Sequence, residues 1–432
     1  MNDVAVPQSE LGKQSRAAWA GQQAVLGKRR GLRALLPFIG PSLIAAIAYV
    51  DPGNYATNIQ SGSEFGYRML WVVVLANLMA AVMQTLSAKL GIATGRNLPE
   101  LCREYLPKWL SVVMWIISEI AAMATDLAEF LGASLGFNLL FHIPLLAATL
   151  VTGVVTYVIL MMERFGFRPL EIFIGVLLGV IVVSYLLETL LSRPSFAAVA
   201  RHLVVPWLGG KDSVMLMVGI IGATVMPHAI YLHSGLTQRR IVPQNEDQAQ
   251  RIYHFERLDV IIAMTLAGLV NLAMMYMAAA VFNTSGHTQV ADISSAYHTL
   301  EPLLGPAAAA IFLVSLLASG VSSSAVGTMA GQVIMQGFVG FSIPIWVRRI
   351  VTMIPTIIIV WLGVNPMQTL VLSQVVLSFA LPAPIIALVW FTRNRKLMGK
   401  LVNRPWVTWL SGAISALILS LNVVYLVVSF GA

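Results

Sequence analysis

From about Leu35 almost to its last residue the chain alternates long apolar runs with short polar or basic stretches. The runs lie near the ~20 residues that a helix needs to cross the hydrocarbon core of a bilayer. Eleven spans are predicted, over 36–61, 69–93, 109–135, 143–161, 170–191, 213–235, 259–282, 303–332, 346–363, 367–391 and 406–429. The expected fold class is therefore an all-α membrane protein with a single transmembrane domain at 35–432. Residues 1–34 are polar and basic, without the short apolar core and small-residue cleavage site of a signal peptide, and are expected to form a cytosolic N-terminal tail.

Composition sharpens this picture. Of 432 residues, 58% are apolar and 11% charged, against roughly 45–50% and about 25% in soluble domains. A net charge of +8 would suit a nucleic-acid partner, but the basic residues sit in short loops between spans, where they act as topology signals and point to no nucleic acid. With the N-terminus in the cytosol, 22 of the 27 Lys and Arg fall on inner segments and four on outer ones. The remaining one, Lys89, can snorkel from the inner end of the second span. The positive-inside rule thus places a multi-pass protein in the cell membrane with its C-terminus external. The bilayer is its expected partner, and no obligate protein partner is implied. Cys102 is the single cysteine, which excludes an intramolecular disulfide and any multi-cysteine metal cluster.

The chemistry concentrates at two interruptions. Span one contains Ala48-Tyr49-Val50-Asp51-Pro52-Gly53-Asn54, where proline removes a backbone donor and glycine loosens the chain. Span six carries Ala223-Thr224-Val225-Met226-Pro227-His228. One reading is a pair of kinked helices with a stray carboxylate; the other is an ion site, because intramembrane acids are costly and mark functional positions. Five spans and then five more, each group opening with a broken helix and the two running in opposite directions, match an inverted-repeat secondary transporter. The repeats would cover about 35–191 and 213–391, with an additional helix at 406–429. Unwound carbonyls near Ala48 and Ala223, the Asp51 carboxylate, the Asn54 amide oxygen and the Met226 thioether would form a mixed hard and soft shell. Calcium and magnesium favour oxygen alone, so a thioether favours softer transition metals. Most of the 20 methionines must simply face lipid or core, and only its place beside Pro227 singles out Met226.

These residues resemble the natural resistance-associated macrophage protein (NRAMP) family, and most closely its bacterial proton-dependent manganese transporters. The resemblance covers roughly residues 35–430 and rests on Asp51-Pro52-Gly53-Asn54, on Met226-Pro227-His228, on the stretch from Ala124 to Phe130, and on the stretch from Gly320 to Gln332. It implies the fold first known from sodium-coupled amino-acid transporters and proton-coupled import of manganese and often iron. Mn2+ or Fe2+ would be substrate and H+ the coupled ion, with no permanently bound cofactor. Asp51, Asn54 and Met226 would bind the metal, joined by a carbonyl of Ala48 or Ala223 as the protein changes state. Gln374 matches a glutamine that approaches the metal in some states. Ala229 departs from the asparagine or valine of many relatives, and no change of metal is expected from it.

Span three carries Glu119, Asp126 and Glu129, whose offsets place them within an arc of about 80° on one helix face. Arg348 and Arg349 at the cytosolic start of span nine, with His228, are their candidate partners. Such a chain could hold and pass protons, and the resemblance supports a route through Asp126, Glu129 and Arg349; a static cluster that packs helices is the alternative. His228 and His233 are assigned supporting roles, and Asn271 and the Ser322 to Ser324 run are expected to be polar helix contacts. Gly320, Gly327 and Gly331 suit close helix approach.

A sodium-coupled amino-acid symporter of the same architecture and a magnesium carrier are the alternatives within transport. Asp51 beside Met226 suits neither a substrate carboxylate nor magnesium. A membrane metallohydrolase would need several close-spaced His, Asp or Glu ligands, and the sequence has no His-Glu-x-x-His or comparable cluster. The protein is not expected to be an enzyme.

Overall fold

Proline decides where several of the helices stop. The computed structural model describes residues 19–29, 31–162, 167–288, 293–341 and 343–430. Residues 1–18 of the expected tail lie outside the described residues. The chain is helical nearly throughout, with no strand among the described residues.

Span one is two half-helices, Pro41–Ala48 and Pro52–Phe65. Asp51 between them is extended and caps the second half, its side chain accepting the Asn54 N–H. Span six is likewise Lys211–Val225 and Pro227–Thr237, joined at Met226. Pro41–Ala48 packs on Pro227–Thr237, while Pro52–Phe65 packs on Lys211–Val225. The first half of each broken helix thus meets the second half of the other, which makes the two antiparallel, as an inverted repeat requires.

The remaining spans are Leu70–Thr94, Lys108–Phe141, Leu145–Met161, Phe167–Ser192, Glu246–Ala278, Pro306–Val339, Ile345–Trp361, Pro366–Ala380 with Pro382–Thr392, and Pro405–Phe430. Eight helical paths among the described residues are long and apolar enough to cross a membrane, one of them, Pro52–Thr94, joining the second half of span one to span two through a turn at Gly66. The expected count of eleven would require in addition the broken first path and two helices of 17 residues, Leu145–Met161 and Ile345–Trp361.

Two predicted spans are corrected. Span seven begins at Glu246, well before the predicted residue 259, because Asn245 caps it and its polar first turns bury Glu256. Span ten, expected over 367–391, is one helical path over Pro366–Thr392 with helical backbone at Leu381, but its hydrogen bonding is interrupted at Pro382. Pro382 cannot donate to the carbonyl four residues back, that of Ser378, and Asn422 of span eleven supplies the missing donor at 2.9 Å. Asn422 also accepts from the Ser378 hydroxyl at 2.8 Å. The eleventh span, with no role legible in the sequence, closes this third interruption.

Span three lies lengthwise against span eight, and small residues set their separation. A Cβ on Gly320 would stand 2.6 Å from the Ala133 nitrogen and 2.8 Å from its Cα, and backbone cannot yield. Gly320→Val is expected to cost about 1–3 kcal/mol through overpacking. The check is the melting temperature of the detergent-purified protein, with Gly179→Val, whose Cβ meets nothing within 4 Å, as control. Equal melting of Gly320→Val and wild type would rule out this close approach.

Candidate metal-transport site

The carbonyls of Ala48 and Ala223 each stand four residues before a proline, Pro52 and Pro227, and so neither can receive the helical N–H it would otherwise accept. Both first half-helices therefore end with oxygen facing the break, at their negative dipole ends. The Ala223 carbonyl accepts from Asn54 Nδ2 at 2.9 Å. The same amide donates to Asp51 Oδ1 at 2.7 Å, and the Asn54 backbone N–H donates to that oxygen at 2.9 Å. Thr224 donates its hydroxyl to Asn54 Oδ1 at 3.1 Å. Asp51, Asn54 and Ala223 are thus brought together from the two breaks, with Met226 fully buried at the second.

Asp51 Oδ2 is buried without a hydrogen-bond partner, and so is Gln374 Oε1. Both side chains abut Gly53: a Cβ there would lie 2.8 Å from Asp51 Oδ2 and would collide with the Gln374 amide. A Cβ on Gly222 would collide with the Gln374 carbonyl. Glycine on each broken helix thus lets span ten close on the site, Gln374 meeting span one by its side chain and span six by its backbone. The unsatisfied atoms at this point are acceptors, which is the complement of a cation. Among the described residues no cluster of three or more His, Cys, Asp or Glu is arranged to hold a metal. A cation here would have one carboxylate to draw on, with carbonyl and amide oxygens beside it.

The rest of the unwound backbone is held by side chains from other spans. Asn271 donates to the Tyr49 carbonyl at 2.7 Å, and Ser319 donates to the Val50 carbonyl at 2.5 Å. Asn271, read as a general helix contact, has this specific duty. Ser319 and Thr224 were missed, because serine and threonine in a membrane helix carry no pattern that separates a backbone clamp from self-bonding.

The acidic face of span three divides. Glu119 is partly exposed and pairs with Arg348 at 3.2 Å. Asp126 and Glu129 are buried, and the Glu129 oxygens have no hydrogen-bond partner. Arg349, expected to pair with them, forms no ion pair to either within 4.0 Å among the described residues. Its guanidinium donates instead to the Ser324 carbonyl at 3.2 Å, the Ser324 hydroxyl and the Thr328 hydroxyl at 2.7 Å, and lies 4.0 Å over the Phe130 ring. Span eight offers Arg349 its acceptors, so arginine and acids act on one another without direct contact. Ser324 is accordingly an arginine partner, whereas Ser322 bonds its own helix at 2.6 Å. Gly327 and Gly331 make room for side chains, contrary to the expected helix contact: a Cβ on Gly327 would meet Glu129 and Asp126, and one on Gly331 would meet the Arg348 guanidinium.

The two histidines part company. His228 Nδ1 lies 3.0 Å from the Thr125 hydroxyl, tying the second half of span six to the acidic helix beside Asp126. His233 belongs to a separate network: its Nδ1 is 2.7 Å from Gln84 Oε1, its Nε2 is 3.6 Å from Glu256, and Gln84 donates to the Tyr49 hydroxyl. Ser42 N–H donates to Asp259 at 3.1 Å in the same region. Spread over spans one, two, six and seven, this network leaves no local motif.

The chain is 55% identical over 425 residues to the divalent metal cation transporter MntH of Acidiphilium cryptum (strain JF-5), covering 98% of this chain and 97% of that one. It is 50% identical over 421 residues to MntH of Bacillus subtilis (strain 168), covering 98% and 99%. A crystal structure of the Eremococcus coleocola manganese transporter, in complex with an aromatic bis-isothiourea substituted compound, superposes with a TM-score of 0.84 at 33% identity, covering 92% of this chain and 88% of that one. MhsT in complex with L-phenylalanine matches with a TM-score of 0.60 at 12% identity, over 90% and 98%, a likeness of fold alone. The model of natural resistance-associated macrophage protein-like sequences matches residues 42–428, and the chain belongs to this family.

Proposed function

We propose that the chain imports divalent transition-metal ions, Mn2+ and also Fe2+, into the cytosol together with protons, by alternating access. It is a membrane transporter and not an enzyme. The observation that carries the reading is the convergence at two helix breaks of the buried, unpartnered Asp51 Oδ2 with the Ala223 carbonyl and the Asn54 amide. The similarity to transporters described as carrying divalent metal cations or manganese supports it.

In this reading the metal sheds most of its water onto Asp51, Asn54, Met226 and a carbonyl of Ala223 or Ala48, with Gln374 joining in some states. The Met226 sulfur favours manganese and iron over calcium and magnesium. Metal is substrate, and no resident cofactor is invoked. A proton taken up at or near Asp51 passes to Asp126 and Glu129, with His228 and Thr125 linking the broken helix to the acidic face. Arg349 tunes those acids by its field, and Glu119 with Arg348 forms the cytosolic end of the route. The N-terminus is cytosolic, the C-terminus external, and eleven crossings divide into two repeats and an additional helix. Inside-negative potential drives both charges inward.

Purified protein in liposomes, with external Mn2+ and an internal pH dye, provides the test. Wild type is expected to take up Mn2+ with acidification, Asp51→Ala to fall to the level of empty liposomes, and Met226→Ala to admit Ca2+ at rates within a few-fold of Mn2+. Absence of Mn2+ flux in wild type would refute transport, and unchanged selectivity in Met226→Ala would refute the sulfur filter.

Glu129→Gln separates the two routes. It is expected to retain Mn2+ uptake within about tenfold of wild type while losing most of the accompanying acidification. Proton entry at the wild-type ratio to Mn2+ would remove Glu129 from the proton path.

A further inference from the structure

Between the second half of span ten and span eleven lies an open groove of about 420 Å³, in the range of about 300–1,000 Å³ of sites that hold small molecules. Its walls include Ile386, Trp390 and Arg393 from one helix and Ser411, Gly412 and Ser415 from the other. Buried serine in a membrane helix ordinarily donates to its own helix, as Ser322 does to the Ala318 carbonyl at 2.6 Å. Ser411 and Ser415 do not: both hydroxyls are buried, line the groove and have no hydrogen-bond partner. Two orphaned donors in an otherwise apolar groove call for an acceptor from outside the chain.

Charge says which acceptor. From residue 302 to the end the chain contains no Asp or Glu, whereas Arg393, Arg395, Lys396, Lys400 and Arg404 fall within twelve residues. Lys400 is engaged by Asp247, but Arg393 has no acidic partner within 4.0 Å among the described residues. Trp390, Trp406 and Trp409 are exposed at this end of the two helices, the position of an interfacial aromatic belt. Guanidinium at the interface, hydroxyls about two and three turns into the eleventh span and an apolar trough beside them offer, in order, partners for a phosphate, ester carbonyls and an acyl chain.

We propose that this groove binds an anionic phospholipid of the cytoplasmic leaflet, its phosphate on Arg393 and its ester carbonyls on Ser411 and Ser415. The leaflet rests on the orientation proposed above; the binding itself does not depend on transport. Juxtamembrane basic clusters attract anionic lipid generally, and the groove adds a fixed seat.

Native mass spectrometry of the detergent-purified protein, free of metal, with added phosphatidylglycerol or phosphatidylcholine is the test. Wild type is expected to retain one phosphatidylglycerol at least tenfold more strongly than phosphatidylcholine. Arg393→Gln is expected to lose that preference, and Ser411→Ala with Ser415→Ala to weaken retention several-fold. Gly412→Leu, at a position where a Cβ meets nothing within 4 Å, fills the groove without straining the fold and is expected to abolish retention. Melting of the delipidated variants alongside wild type guards against misfolding. Equal retention by wild type, Arg393→Gln and Gly412→Leu would overturn the proposal. So would a dimer that Gly412→Leu dissociates, which would make the groove an interface between copies. A failed Mn2+ flux assay with lipid retention intact would strike the transport reading and leave this one standing.

Discussion

A proline four residues after a carbonyl removes the donor that carbonyl would have had, and in hydrocarbon no water replaces it. Pro52, Pro227 and Pro382 impose this on Ala48, Ala223 and Ser378, all within a membrane-spanning bundle. Much of the polar architecture answers that constraint. Asn54 takes the Ala223 carbonyl, Asn422 takes that of Ser378, and Asn271 and Ser319 hold the unwound carbonyls of Tyr49 and Val50. Each buried carbonyl left unpaired would cost several kcal/mol by transfer arguments, so these partners define which backbone arrangements are accessible.

The same partners make the site able to change. Asn54 bridges the two breaks with one amide, so a cation that draws the Ala223 carbonyl or Asp51 Oδ1 toward itself competes with that bridge. In the proposed function, metal binding and the relation of the two broken helices would be linked through that shared acceptor. The networks around His228 and His233 attach the second half of span six to span three on one side and to spans one, two and seven on the other.

Span eight is the scaffold for the charged groups. Its glycines open space for Glu129, Asp126 and Arg348, and its Ser324 and Thr328 hold Arg349. An arginine committed to neutral acceptors lends its field to buried carboxylates without pairing with them directly.

The helical class, the approximate positions of the spans and the breaks in spans one and six were legible in the sequence because each depends on local properties: apolar run length, and a proline that denies its own neighbours a hydrogen bond wherever it is placed. Asp51, Asn54 and the acidic face of span three stood out because they are polar where burial is costly, whereas Met226 was marked only by its place beside Pro227. The interruption in span ten passed unnoticed although Pro382 stands in plain view, since no acid or amide beside it marked a function. What only the tertiary structure decided was pairing. That Arg349 rests on Ser324 and Thr328 and not on Asp126, that Gly327 shelters carboxylates and not a helix, and that Asn422 repairs Ser378 follow from which faces of distant helices meet. Contacts of that kind join residues tens to hundreds of positions apart and leave no periodic trace along the chain.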